Sequence, residues 1–177
     1  MRQSQITGVG PAGPAFAGAL FVTTDAGDVN GLFVGGRTST PGGGGRYGLF
    51  YVAVPNGEAA TASAWVYGLQ QNDENRTNLA LVNTGETDNS TDTFRIEIFD
   101  GPTGTKVATQ EGISLGAKGW TQIGSVLSQV APGTTQGYAR ITRTAGTNPF
   151  IVYTVVNDGA TVDARSGDGA YMGMELQ

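Results

Sequence analysis

The chain has 177 residues, with 10 Lys and Arg, 15 Asp and Glu, and neither His nor Cys. Those two absences exclude a disulfide framework, a thiolate nucleophile, an imidazole metal site and a Ser-His-Asp triad. A formal net charge of -5, with Lys106 and Lys118 the only lysines, argues against a nucleic-acid or anionic-membrane surface.

The first segment, Met1 to Phe16, is rich in Gly, Pro and small residues and reads as an extended arm or linker. No apolar run reaches the length of a membrane helix, and Gly18 breaks the longest, Ala15 to Val22. From there short β-rich runs alternate with Gly, Asn, Asp and Pro clusters. The expected strands are Ala17 to Thr23, Gly31 to Thr38, Tyr47 to Val54, Ala64 to Leu69, Thr77 to Asn83, Thr93 to Phe99, Lys106 to Gln110, Gly137 to Arg143, Phe150 to Val156 and Ala170 to Glu175. In Phe94 to Phe99 the alternation is clean. Phe94, Ile96 and Ile98 are set for a core, and Arg95 and Glu97 for water. Asp100-Gly-Pro-Thr-Gly104 is a turn by composition, so a hairpin into Lys106 follows. Trp120, Ile123, Leu127 and Val130 have near-helical spacing, which predicts a short strand or loop leading into one or two helical turns, with Trp120 in the core.

About ten short strands and no crossover helix define an all-β fold, an antiparallel β-sandwich with one short helix near 120–130. The sandwich spans 17–177, with 17–70 and 76–177 as candidate sub-lobes.

The sequence also echoes itself. Gly18 to Val34 lies on Gly137 to Val152 with one gap, and Tyr47 to Val52 lies on Asp168 to Gly173. Each stretch reads as a strand ending in Thr, a turn carrying Ala-Gly and Asn, an apolar strand, and a strand after a Gly-rich loop. If this is a repeat, the first copy has only its back half. The missing front half then comes from upstream, from another chain, or is not needed.

Asn75-Arg-Thr-Asn-Leu-Ala-Leu-Val-Asn-Thr-Gly85, Ile98-Phe-Asp-Gly101, Gly119-Trp-Thr-Gln-Ile123, Gly137-Tyr-Ala-Arg-Ile141 and Pro149-Phe-Ile-Val-Tyr-Thr-Val-Val-Asn-Asp-Gly159 follow in order. Together they resemble the tandem β-sandwich modules of large secreted or cell-surface proteins of soil bacteria. Gly36-Arg-Thr-Ser-Thr40 and Gly45-Arg-Tyr-Gly-Leu-Phe50 are similar to the tail of a preceding module of that kind. The resemblance implies a sandwich, an extracellular or cell-surface location and a non-catalytic role. The low Lys and high Gly and Thr content suits the same compartment.

Residues that could carry chemistry are sparse. Asp158, Asp163 and Asp168 are the best candidates for calcium, which takes six to eight oxygens, although turn chemistry alone explains Asp and Asn in such loops. No Gly-x-Ser-x-Gly elbow, phosphate loop or carboxylate-pair motif points to an enzyme. Trp65, Tyr67, Tyr47 and Tyr51 are the best candidates for stacking sugar rings, since each pair shares one side of its strand. The sequence therefore points to an extracellular structural or assembly module, a tandem-array unit or a surface-layer or filament subunit. Its partners would be copies of itself or neighbouring modules joined through strand edges. The alternative is a polysaccharide-binding module, with calcium as a candidate aid.

Overall fold

The computed structural model describes residues 18–25, 32–42, 45–158 and 169–177. The arm expected over 1–16 lies outside them. The elements are β1 (Gly35–Gly42), β2 (Gly45–Val52), β3 (Ser63–Gln70), β4 (Asn75–Asn83), β5 (Asp92–Asp100), β6 (Lys106–Leu115), β7 (Trp120–Ile123), α1 (Val126–Val130), β8 (Gln136–Ala145), β9 (Phe150–Asp158), β10 (Gly169–Gly173) and β11 (Glu175–Leu176).

These strands form two antiparallel sheets and a separate hairpin. One sheet has the order β10-β9-β4-β7 and the other β11-β3-β8-β5-β6, while among the described residues β1 and β2 pair only with each other. Alternation places one side of each sheet inward. Leu79, Leu81, Phe150 and Val152 of the four-stranded sheet meet Ala64, Val66, Phe94, Ile96, Ile98, Ala139 and Ile141 of the five-stranded sheet, all within one core. Phe94 and Phe150 touch across the middle, ring centroids 5.2 Å apart and nearly perpendicular. The fold is the expected antiparallel sandwich, with the short helix closing one end through buried Val126 and Leu127.

Several boundaries differ from the sequence reading. Gly18 to Thr24 joins no strand, and the second expected strand begins at Gly35 rather than Gly31. Strand β6 continues past Gln110 to Leu115 because Glu111 and Gly112 form a bulge, with Gly112 at φ 74° and a register shift opposite Phe94 and Ile96. The last expected strand divides into β10 and β11. Trp120 is not in the core: it pairs with Val82 on the outer face of the four-stranded sheet and donates its indole N–H to the Tyr153 hydroxyl at 3.1 Å.

That outer face is itself covered. Ala80, Val82 and Val155 point away from the core yet are buried. Hairpin β1–β2 lies over this side, bringing Leu49, 7% exposed, against Gly169 and Val155. Tyr51 packs edge-on against Tyr153 and Tyr171, at 5.9 and 5.7 Å between centroids.

At one end of the sandwich the β4–β5 and β8–β9 connections are tied by side-chain amides and carboxylates. Asn148, fully buried, accepts from the backbone N–H of Thr87 and Asp88 and donates to Asp88 Oδ1. Asn83 donates to the Leu115 carbonyl at 2.9 Å, and Arg143 donates to that of Asn148. Asp88 accepts from the Ser90 N–H and the Thr147 hydroxyl; the Ser90 side chain, the Thr147 hydroxyl and then the Ser90 N–H hold its carboxyl down at a pKa of about 2. Gly146 sits in this network at φ 95°, with the space where a Cβ would stand filled by the Asp92 carboxylate. Gly146→Ala therefore combines backbone strain with a clash, and a loss of ~2–3 kcal/mol is expected in chemical denaturation. The control Gly57→Ala, with a similar φ of 86° but open space around it, is expected to lose about half as much.

Candidate functional site

The outward side of the five-stranded sheet carries an aromatic and ionic array. Its geometry follows from register. In one row across the strands Trp65, Arg140, Glu97 and Thr109 are neighbours; in the next, Tyr138, Phe99 and Lys106. Tyr67 joins the second row through a bulge between Val66 and Leu69, made by Gly68 at φ 71°.

In the second row the rings form a ladder. Phe99 and Tyr138 lie 5.2 Å apart with planes 5° from parallel, and Tyr138 and Tyr67 5.7 Å apart at 29°. Centroid separations of this size at near-parallel planes mean offset stacking, so neighbouring rings overlap only partly. Trp65 touches all three, at 6.4 Å from Tyr67, 5.4 Å from Phe99 and 5.8 Å from Tyr138. Tyr67 is 41% exposed.

Beside the rings sits a carboxylate that alternation assigns to water but which is buried. The Glu97 side chain is 6% exposed, because three cations close over it. Arg140 grips Glu97 Oε2 through Nε at 2.9 Å and Nη2 at 2.6 Å, while its guanidinium lies over the Trp65 ring at 5.6 Å. Lys106 holds Oε1 at 3.1 Å, and Arg95 Nε stands 3.8 Å from Oε2. The Arg140 hydrogen bonds outweigh the opposing effect of burial, and with help from Lys106 they hold the Glu97 carboxyl below its usual 4.5.

The sequence-derived candidates divide between two faces of the molecule. Trp65 and Tyr67 come together on this one, joined by Tyr138 and Phe99. Tyr51 is on the opposite side, inside the tyrosine cluster under the hairpin, so the four residues do not make one platform. Tyr47 is on the same strand as Tyr51, opposite Thr40, and its side chain lies outside the described part. Of the calcium candidates Asp158 ends β9, while Asp163 and Asp168 fall outside the described residues. Among the described residues no group of three or more His, Cys, Asp or Glu could hold a metal ion. Burial pushes the Tyr153 and Tyr171 phenols above their usual 10, so both stay protonated near neutral pH. Tyr138 is one of the wider set of aromatics the sequence offers for stacking sugar rings, but the sequence does not join it to Trp65 and Tyr67, and it misses Phe99. The strands that bring these rings together are far apart in sequence. The signal was present in Gly137-Tyr-Ala-Arg-Ile141, whose alternation already turns Tyr138 and Arg140 to the face opposite Ala139.

No family model, curated protein or solved structure matches the chain. No helix among the described residues is long and apolar enough to cross a membrane.

Glu97 ties three strands by charge, so Glu97→Gln is expected to destabilise the fold by ~1–3 kcal/mol near neutral pH. A carboxyl depressed in the folded state contributes fully above its unfolded pKa, and the contribution fades as pH falls through the folded value. The gap between wild type and variant in urea melts should therefore narrow as pH drops below 4.5. A gap independent of pH would mean that shape, not charge, holds the residue.

Proposed function

We propose that this chain is a non-catalytic extracellular structural module that assembles with units of its own kind. The observation that carries the reading is a strand register. The sequence echo aligns Val34 with Val152 and Tyr47 with Asp168. On that alignment the five pairs Tyr153–Gly173, Thr154–Met172, Val155–Tyr171, Val156–Ala170 and Asn157–Gly169 of β9–β10 correspond one for one to Gly35–Val52, Gly36–Tyr51, Arg37–Phe50, Thr38–Leu49 and Ser39–Gly48 of β1–β2. Shared composition alone gives two hairpins no reason to keep one register, since a slip by a single residue changes every partner and every face.

On this reading the hairpin corresponds to the last two strands of a module, and among the described residues no further strand pairs with it. In the second copy β9 pairs with β4 along its other edge, and β8 runs between β3 and β5. In the first, Leu20 and Val22 align with the fully buried Ala139 and Ile141, yet are 61% and 53% exposed. Phe33 and Phe50 stack at 6.5 Å on the side of the hairpin turned away from the sandwich, 70% and 51% exposed, next to Val52 at 48%. A back half with its apolar positions in water is completed by front-half strands from another unit, by strand addition in a tandem array, surface layer or filament. Composition and the resemblance to tandem modules favour a secreted or cell-surface setting.

Light scattering tests this. Wild type is expected to give a mass well above 18.2 kDa that rises with concentration. The double variant Leu20→Asp, Phe50→Asp is expected to give the monomer mass with an unchanged melting temperature, because neither residue lies in the main core. A wild-type chain that stays at 18.2 kDa at every concentration contradicts the reading.

A further inference from the structure

The network of amides and carboxyls at the end of the sandwich leaves one buried atom without a partner. Asp92 is fully buried, yet its Oδ2 meets no hydrogen-bond donor. Its Oδ1 accepts two long bonds, from the Ser90 hydroxyl and the Thr147 N–H, each at 3.3 Å. A carboxyl oxygen buried without a partner is costly, and a bound ion or water is a common reason for one.

The residues around it are oxygen donors at a telling spacing. Asp88, Ser90 and Asp92 stand two apart in Asp88-Asn-Ser-Thr-Asp92, as do the first three ligands of a calcium loop, here with Ser in the middle place. The fold brings their side chains together. Ser90 donates its N–H to Asp88 Oδ1 at 2.7 Å and its hydroxyl to Asp92. Thr147, from the β8–β9 connection, also touches both carboxyls, giving its hydroxyl to Asp88 Oδ2 at 2.7 Å and its N–H to Asp92. Asp88 is exposed and Asp92 is buried, so one forms the rim of the cluster and the other its floor.

Charge balance points the same way. Among the described residues every ion pair is made by Glu97 or Glu111, so neither Asp88 nor Asp92 has a cationic partner. Arg143 reaches this end but gives its Nη1 to the Asn148 carbonyl. Asp88 is held ionised by its hydrogen bonds.

We propose that Asp88, Ser90 and Asp92 hold a calcium ion, with Asp92 Oδ2 and the Asp88 carboxylate as charged ligands, the Ser90 hydroxyl as a third, and water completing the shell on the solvent side. A set made only of oxygen, in a chain without His or Cys, suits a hard cation. Mixed donors on a loop open to water suit calcium better than magnesium, which demands a near-ideal octahedron. The site belongs to the sandwich and not to the β1–β2 hairpin, so it stands independently of assembly.

Calorimetric melting of the full chain after EDTA treatment tests the proposal, with 10 mM calcium, 10 mM magnesium or sodium chloride of matched ionic strength, and titration calorimetry with calcium alongside. Extracellular calcium sites bind at about 0.1–1 mM, so calcium is expected to raise Tm by about 5 °C and magnesium by less than half of that. Asp88→Asn, at the exposed rim, is expected to fold and to lose the calcium response. Asp92→Asn is expected to lose it too, and if that buried variant does not fold, Asp88→Asn decides alone. Asp158→Asn, at the end of β9, is expected to respond like wild type. A wild-type chain with neither a melting shift nor binding heat on adding calcium overturns the proposal, and the cluster is then only a hydrogen-bonded tie. A response that survives Asp88→Asn, or disappears in Asp158→Asn, puts the ion elsewhere and overturns it equally. Equal shifts with magnesium overturn the assignment to calcium.

Discussion

Everything in this structure depends on where the core stops. The buried residues that form it lie between Ala60 and Val152, contributed by both sheets and by the end-closing helix. Among the described residues, none up to and including Val52 joins this core. A hairpin that is left out of a closed core must find other apolar surface, and β1–β2 finds part of it on the outer face of the four-stranded sheet through Leu49 and Tyr51. Only one side of the hairpin is served in this way. Covering Leu20, Phe21, Val22, Leu32, Phe33, Phe50 and Val52, each 42–70% exposed, would contribute roughly 1 kcal/mol per residue. A few such residues suffice for reversible association.

The two outer faces differ in kind for the same reason. That of the four-stranded sheet is an interface already in use: Trp120, Tyr153, Tyr171 and Tyr51 bury one another and the phenols stay protonated. That of the five-stranded sheet is covered by nothing described, and its order comes from within, from a carboxylate gripped by two cations and a guanidinium laid on an indole. A brace of this kind lets aromatic rings stand in fixed positions at a surface, where rings on their own would lean onto one another.

Alternation made the sandwich legible in the sequence. Phe94, Ile96 and Ile98 announced one face of β5 and proved fully buried. The turn at Asp100 to Gly104 announced the hairpin, and there Asp100 Oδ2 does accept from Thr103. What period-two reasoning could not show was pairing between distant strands. Glu97 reads as a solvated charge until β8 brings Arg140 beside it from 43 residues away. Trp65 and Tyr67 were visible as a pair, but Tyr138 and Phe99 belong with them only through the strand order β3-β8-β5. Tyr51 shares the residue type of that platform and none of its location. Gly18 to Thr24 has strand composition, and composition is indifferent to whether a neighbouring strand exists. The segment does not become part of a strand.

The claim that residues 18–52 are part of another unit's fold is tested most directly by hydrogen exchange at two protein concentrations. In the dilute sample the amides of β1 and β2 should exchange far faster than those of Val66, Ile96 and Ile141. In the concentrated sample protection should rise over 18–52 and stay constant through β3 to β9. Equal and concentration-independent protection of the hairpin and the core would contradict the account, since the hairpin would then be an integral layer of one closed domain.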